Sequence, residues 1–217
     1  MSLFALTRAS LGYGERAVLT DVTLSIGEGE RVALVGPSGA GKTTLLAALY
    51  RQRRERTALV PQDGALVKQL SVYHNVYIGR LHEHSALYNL VNLLYPLREP
   101  VRAVTRVLEQ VDLADKLFTP VGELSGGQQQ RAAVARALYH GGDVLLGDEP
   151  VSAVDGWQAQ GVLDAVIRSY PTVVLVMHDV KLALQFTTRI IGIRAGRVVL
   201  DEPSDGLAVD DLDGLYR

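Results

Sequence analysis

The residues Gly36-Pro37-Ser38-Gly39-Ala40-Gly41-Lys42-Thr43 restrict the fold of this chain more than any other stretch. They fit the pattern G-x-x-x-x-G-K-[ST], in which the glycines let the backbone curl until successive N–H groups point inward at phosphate oxygens. The flanks agree. Arg31-Val32-Ala33-Leu34-Val35 reads as a strand buried on both faces, the pattern of a parallel sheet, and a helix follows from about Lys42 to Arg54. The helix N-terminus adds partial positive charge, Lys42 adds a mobile cation for the β- and γ-phosphates, and the Thr43 hydroxyl can ligate Mg²⁺. A chance glycine-rich turn would not fill all eight positions between such flanks.

Around this loop the sequence alternates strand and helix, which argues for α/β architecture. Leu3–Thr7 and Val18–Ile26 read as strands, the second with apolar Val22, Leu24 and Ile26 alternating with polar neighbours. Ala58–Val60 is a short strand stopped by Pro61. From Gln62 to Leu124 the strand signals vanish, and Ser71–Ile78, Ser85–Tyr95 and Pro100–Val111 look helical. After Ser125 the rhythm resumes: a helix to about Tyr139, a buried strand Val144–Leu146, a helix Trp157–Ser169 and a buried strand Thr172–Met177. A hairpin, Ile190–Ile193 with Arg197–Leu200, follows. The chain is expected to form one domain, with core residues 1–63 and 140–217 interrupted by a helical insertion, 64–139.

Asp148-Glu149 follows a buried strand, the Walker B arrangement. Asp148 is placed to hold magnesium and Glu149 to orient and deprotonate an attacking water. Alone, such a pair is more often a cap or a solvated turn; with the phosphate loop present, the catalytic reading prevails. Leu124-Ser125-Gly126-Gly127-Gln128 starts the next helix, and Ser125 is a good N-cap. Capping explains the residue types but not five letters in this order between the two other motifs.

On these residues, continued by Gln129-Gln130-Arg131-Ala132-Ala133-Val134-Ala135-Arg136-Ala137-Leu138, the chain resembles the ATP-binding-cassette (ABC) ATPases over essentially its whole length. The resemblance implies a P-loop NTPase (RecA-like) core, a small antiparallel β subdomain and an inserted helical subdomain. It implies ATP and Mg²⁺ as ligands, with nucleotide on Gly36 to Thr43 and the adjoining Thr44. Tyr13 matches the family's adenine-stacking aromatic, and Gln62 the Q-loop glutamine that contacts metal or attacking water. Ser152-Ala153-Val154-Asp155 matches the D-loop at the dimer seam, and His178 the switch histidine at the γ-phosphate. Ser125, Gly126, Gly127 and Gln128 then serve the nucleotide of a second copy, packed head to tail.

The resemblance further implies transmembrane permease subunits as partners, with the chain cytoplasmic and peripheral at the inner face of the membrane. Leu70 to Leu81 and Arg189 to Arg197 look like the ATPases of phosphonate-type importers, which adds a periplasmic solute-binding protein. Importers of other small solutes, exporters or lipid-release systems, and soluble ABC ATPases are the alternative readings. Apolar residues of the insertion, Tyr73, Val76, Tyr77, Ile78, Leu87, Leu90, Val91, Leu93 and Leu94, are expected to divide between the insertion's own core and a groove for a permease helix. The formal net charge is −2, which gives no electrostatic case for nucleic acid, and no cysteine is present to build a thiolate zinc site.

Only 19 residues separate Lys42 from Gln62, about half the family's usual gap, so the accessory sheet is expected to be small. The arginines at 51, 53, 54 and 56 read as a solvated face at a helix C-terminus. Asp201 to Asp213 reads as a solvated acidic tail and Trp157 as packing a helix against the sheet, while His82 and His84 have the spacing of a weak metal pair but no third ligand, so no metal is assigned to them.

Overall fold

In a computed structural model, which describes residues 2–14 and 16–216 with the Tyr13 side chain excepted, the N-terminal alternation becomes an antiparallel pair. Strand β1 (Ser2–Tyr13) pairs with β2 (Arg16–Gly27) in a sheet of its own. On β2, Leu19, Val22, Leu24 and Ile26 are buried between exposed polar residues. Both strands run longer than their apolar cores suggested. Their backbone pairing carries the ladder past the residues whose side chains signal it.

The main sheet holds β3 (Arg31–Val35), β4 (Thr57–Val60), β5 (Val144–Asp148), β6 (Thr172–Val176), β7 (Arg189–Arg194) and β8 (Arg197–Pro203). Their order is β4-β5-β6-β3-β7-β8. Strands β5, β6, β3 and β7 run parallel, and β8 returns antiparallel to β7. Every residue of β5 and β6 is buried, as their unbroken apolar runs require. The register sets Leu34 and Asp148 on either side of Val176, so three neighbouring strands end at one level. Helix α1 (Lys42–Gln52) turns Leu45, Leu46 and Leu49 into the core formed with Val32, Leu34, Val144, Leu146, Val174 and Val176.

The remaining helices are α2 (Val72–Tyr77), α3 (Ala86–Leu94), α4 (Arg98–Gln110), α5 (Gly126–His140), α6 (Gly156–Ser169), α7 (Val180–Phe186) and α8 (Val209–Leu212). Contacts gather the chain into two units. One comprises residues 1–59, 142–149 and 170–217; the other comprises 60–141 and 150–169, so α6 groups with the inserted helices. Among the described residues, no helix is long and apolar enough to cross a membrane.

Within the helical unit, Asn75 is fully buried and replaces missing ladder bonds. Its amide accepts from the Val67 N–H and donates to the carbonyls of Val67, Leu70 and Ser71. Of the apolar insertion residues, Tyr73, Val76 and Tyr77 are buried and Ile78 is half-buried, while Leu87, Leu90, Val91, Leu93 and Leu94 on α3 are exposed, Leu87 to 72%.

The end of α1 is tied to β1 by one side chain. The Gln52 side-chain amide donates to the Ala5 carbonyl at 3.2 Å and accepts from its N–H at 3.3 Å. One side chain thus satisfies part of the outer edge of β1, where another strand would otherwise pair.

Two expectations are corrected. Trp157 is 73% exposed at the start of α6 and does not pack against the sheet, because it occupies the helix's outer face while Ala159, Val162, Leu163 and Val166 are buried. The segment from Asp201 onward is not a free tail. Asp201 accepts from the Arg189 guanidinium at 2.6 and 2.8 Å, and Leu212 and Leu215 are buried. Arg189 also bonds Glu30 and the Ser25 carbonyl, and these carboxylate partners hold its proton affinity above the ordinary arginine value.

Leu34 is fully buried on the central strand. Leu34→Ala is therefore expected to lower unfolding free energy by about 2–5 kcal/mol, read from the urea midpoint at unchanged slope.

Candidate functional site

The loop from Gly36 to Gly41 leaves the carboxyl end of β3, where open parallel sheets place their ligands. Gly36 has φ +141, and a Cβ there would run into the Ile193 carbonyl, so the first position of the loop admits no side chain. Gly41 is the N-cap of α1 and no side chain caps the helix, which leaves its first turn open to an anion. Lys42 is only 6% exposed, and its Nζ donates to the carbonyls of Gly36 at 2.7 Å and Pro37 at 3.0 Å. Burial lowers its proton affinity, an effect opposed by the charges of Glu149 and Asp148.

Asp148, at the end of β5, is 3% exposed. Burial pushes its carboxyl above the ordinary range; a hydrogen bond with Thr43 and the Lys42 charge act the other way. Its Oδ1 is buried without a hydrogen-bond partner in the protein. A buried carboxylate oxygen left over beside a threonine hydroxyl is the donor set a hard divalent cation takes, so Thr43 and Asp148 fit Mg²⁺.

The next residue, Glu149, adopts φ +55, a left-handed conformation that costs a non-glycine residue on the order of 1–2 kcal/mol. Its N–H is tied to the Val176 carbonyl at 3.1 Å, and its Oε1 lies 2.7 Å from His178 Nε2. The β5–β6 register accounts for that meeting, since His178 stands two residues beyond the Val176 that pairs with Asp148. Gly36 to Thr43, Asp148, Glu149 and His178 are thus gathered in one unit of the fold, together with Thr44.

The other predicted residues, Tyr13 of β1 excepted, belong to the helical unit. Ser125 forms a capping box with Gln128: the serine hydroxyl accepts from the Gln128 N–H at 3.3 Å, and Gln128 Oε1 accepts from the Ser125 N–H at 3.0 Å. Ser125 and Gly126 are exposed at the head of α5. Gln62 is exposed, and the turn after it is held by Arg136, which donates to the carbonyls of Gly64 and Ala65 at 2.6 Å each. Ser152, Ala153 and Asp155 are also exposed, on the turn that leads into α6. Tyr13 lies in β1, but its side chain falls outside the described residues.

Two residues carry more of this geometry than their sequence context suggested. Arg136 on α5 holds the turn after Gln62, and Gln130 bonds both Ser152 and Ala153. No signal in the sequence singles them out: Gln130 precedes and Arg136 interrupts the buried positions of α5, and both are half-buried polar residues of an ordinary helical pattern.

Residues 19–152 match the family model described as ABC transporter. The phosphonates import ATP-binding protein of Pseudomonas putida is 42% identical over 237 aligned positions, covering 96% of this chain and 87% of that protein. The corresponding protein of Pseudomonas aeruginosa is 40% identical, covering 94% and 86%. Both alignments exceed this chain's 217 residues, at 237 and 232 positions, so the relatives carry segments that it lacks. Among solved structures, the dimer of a bacterial ABC transporter cassette superposes with TM-score 0.78 at 26% identity, covering 94% of this chain and 99% of that one. A dimeric post-hydrolysis cassette bound to ADP and Pi gives TM-score 0.74 at 27% identity with the same coverage.

Since the Asp148 carboxyl is raised by burial, ionising it costs folding stability as the pH rises through that raised value. Asp148→Asn should therefore raise the melting temperature of the nucleotide-free chain at neutral pH while removing ATP turnover. The gain should shrink as the pH falls toward the ordinary carboxylate range.

Proposed function

The chain belongs to the ABC transporter family, and on that footing we propose that it is the ATP-hydrolysing subunit of an importer for phosphonate, working through a separate membrane permease. The observation that carries the catalytic part is the convergence of Lys42, Asp148 and the Glu149–His178 pair at the ends of β3, β5 and β6. The substrate class rests on the relatives at 42% and 40% identity, which are named for phosphonate import.

ATP lies with its phosphates over the loop from Gly36 to Thr44. Lys42 leaves the carbonyls of Gly36 and Pro37 for the β- and γ-phosphates, exchanging neutral acceptors for anionic ones. By the family resemblance the base falls to Tyr13. Thr43 and Asp148 are the residues that would hold Mg²⁺, which when bound would neutralise developing charge on the β- and γ-phosphates. Glu149 accepts a proton from water as the water oxygen bonds to the γ-phosphorus. The bond to the bridging oxygen breaks, and ADP departs with its electron pair. His178, already bonded to Glu149, orients that carboxylate and faces the γ-phosphate.

The site is completed by a second copy, whose Ser125, Gly126, Gly127 and Gln128 present the head of α5 to the same triphosphate, with Asp155 crossing the seam. Hydrolysis removes the bridging charge and the copies separate, which gives the stroke. Helical residues 64–139 face the permease, with Leu87, Leu90 and Leu94 of α3 among the apolar contacts. The chain sits in this way at the inner face of the membrane, and a periplasmic solute-binding protein delivers the phosphonate.

Glu149→Gln is expected to keep ATP affinity, lower turnover at least ~100-fold and trap an ATP-bound dimer, seen as a doubling of mass in light scattering. Turnover near that of the parent removes Glu149 from the role of base. With its permease in vesicles, ATP turnover should rise with phosphonate-loaded binding protein and stay flat with an amino acid or sugar system. Equal stimulation by either contradicts the substrate assignment.

A further inference from the structure

Gln130 stands on the second turn of α5, five residues after Ser125. Its Nε2 donates to the Ser152 hydroxyl at 2.9 Å, and its Oε1 accepts from the Ala153 N–H at 2.8 Å. The amide uses both its polarities on adjacent residues of one loop, which fixes the loop's orientation as well as its distance. The loop also lies directly on the head of α5. A Cβ on Gly127 would stand 2.6 Å from the Ala153 carbonyl oxygen, so the second glycine of Ser125-Gly126-Gly127 is the space the loop occupies. Ser152 and Ala153 are exposed, so these bonds compete with water and hold only because the glutamine is carried on a helix whose next five residues, Arg131 to Ala135, are buried.

From this geometry we propose that Gln130 is a positioning residue that locks the segment Ser152–Asp155 to the start of α5, so that both present a single preformed surface to the partner's nucleotide. The inference rests on the head-to-tail dimer described above and adds to it the device that keeps two sequence-distant contacts in step. Without the amide, each has to be ordered separately on dimerisation, and the entropy of fixing the loop falls on the association step. ATP binding to the single chain is untouched, because Lys42 and the phosphate loop belong to the other unit.

The test uses the full chain in the Glu149→Gln background, where ATP-dependent self-association is measured by sedimentation and ATP affinity is measured at concentrations too low for dimers. Gln130→Met, close in volume but without donor or acceptor, should weaken association ~10-fold or more while leaving ATP affinity within about twofold, the scale of two lost hydrogen bonds. Gln130→Glu should restore association, since a carboxylate accepts from both the Ala153 N–H and the Ser152 O–H. Ser152→Ala removes one of the two bonds at an exposed position and should give an intermediate loss, which carries the test should Gln130→Met not fold.

Association of Gln130→Met or Ser152→Ala equal to the parent overturns the inference. So does a Gln130→Glu chain as weak as Gln130→Met, or a parallel loss of ATP affinity in the single chain. A Glu149→Gln parent that stays monomeric with ATP contradicts the dimer reading itself, and the inference with it. A dimerising parent beside an unaffected Gln130→Met contradicts the inference alone.

Discussion

Hydrogen-bond register across β5, β6 and β3 is the constraint on which the rest depends. It brings the ends of three neighbouring strands to one level, so the residues that follow those strands gather at one edge of the sheet. A lysine, an aspartate, a glutamate and a histidine share it here. Lys42 is pulled away from its ordinary proton affinity by burial, and Asp148 is pushed the other way. Neither group is fully compensated by the protein: Lys42 rests on neutral carbonyls, and one oxygen of Asp148 has no partner. Burying such groups without full compensation costs stability, which a bound polyanion would return.

The helical unit solves a different problem, the exposure of backbone donors at a helix head. The capping box of Ser125 and Gln128 shapes the start of α5 without filling it, and glycines at 126 and 127 keep it free of side chains. Further along the same helix, Gln130 holds one loop by the Ser152 hydroxyl and the Ala153 N–H, Arg136 holds another by two carbonyls, and Arg131, buried, donates to the carbonyls of Val111 and Asp112. α5 is therefore a stem to which several irregular segments are hydrogen-bonded.

Much of this was legible in the sequence because the chemistry is local. The phosphate loop, the acidic pair after Leu146-Gly147 and the serine-glycine helix start are short motifs whose backbone needs are written in their own residues. The buried strands showed themselves as unbroken apolar runs. What escaped depends on partners far along the chain. Trp157 looked like a core residue, yet the helix phase set by Ala159 and Val162 turns it outward. The acidic C-terminal segment looked solvated, yet Asp201 is claimed by Arg189 across the β7–β8 pair. The strained φ of Glu149 and the reach of Gln130 leave no local trace, because each is imposed by a contact that only the folded chain creates.

The central claim is that ATP turnover belongs to two copies and not to one. It is tested most directly by measuring hydrolysis per chain as the concentration of purified protein is varied at saturating ATP. The account predicts specific activity that climbs with concentration and levels off once the chains are paired. Specific activity that stays constant down to the most dilute, demonstrably monomeric samples would contradict it.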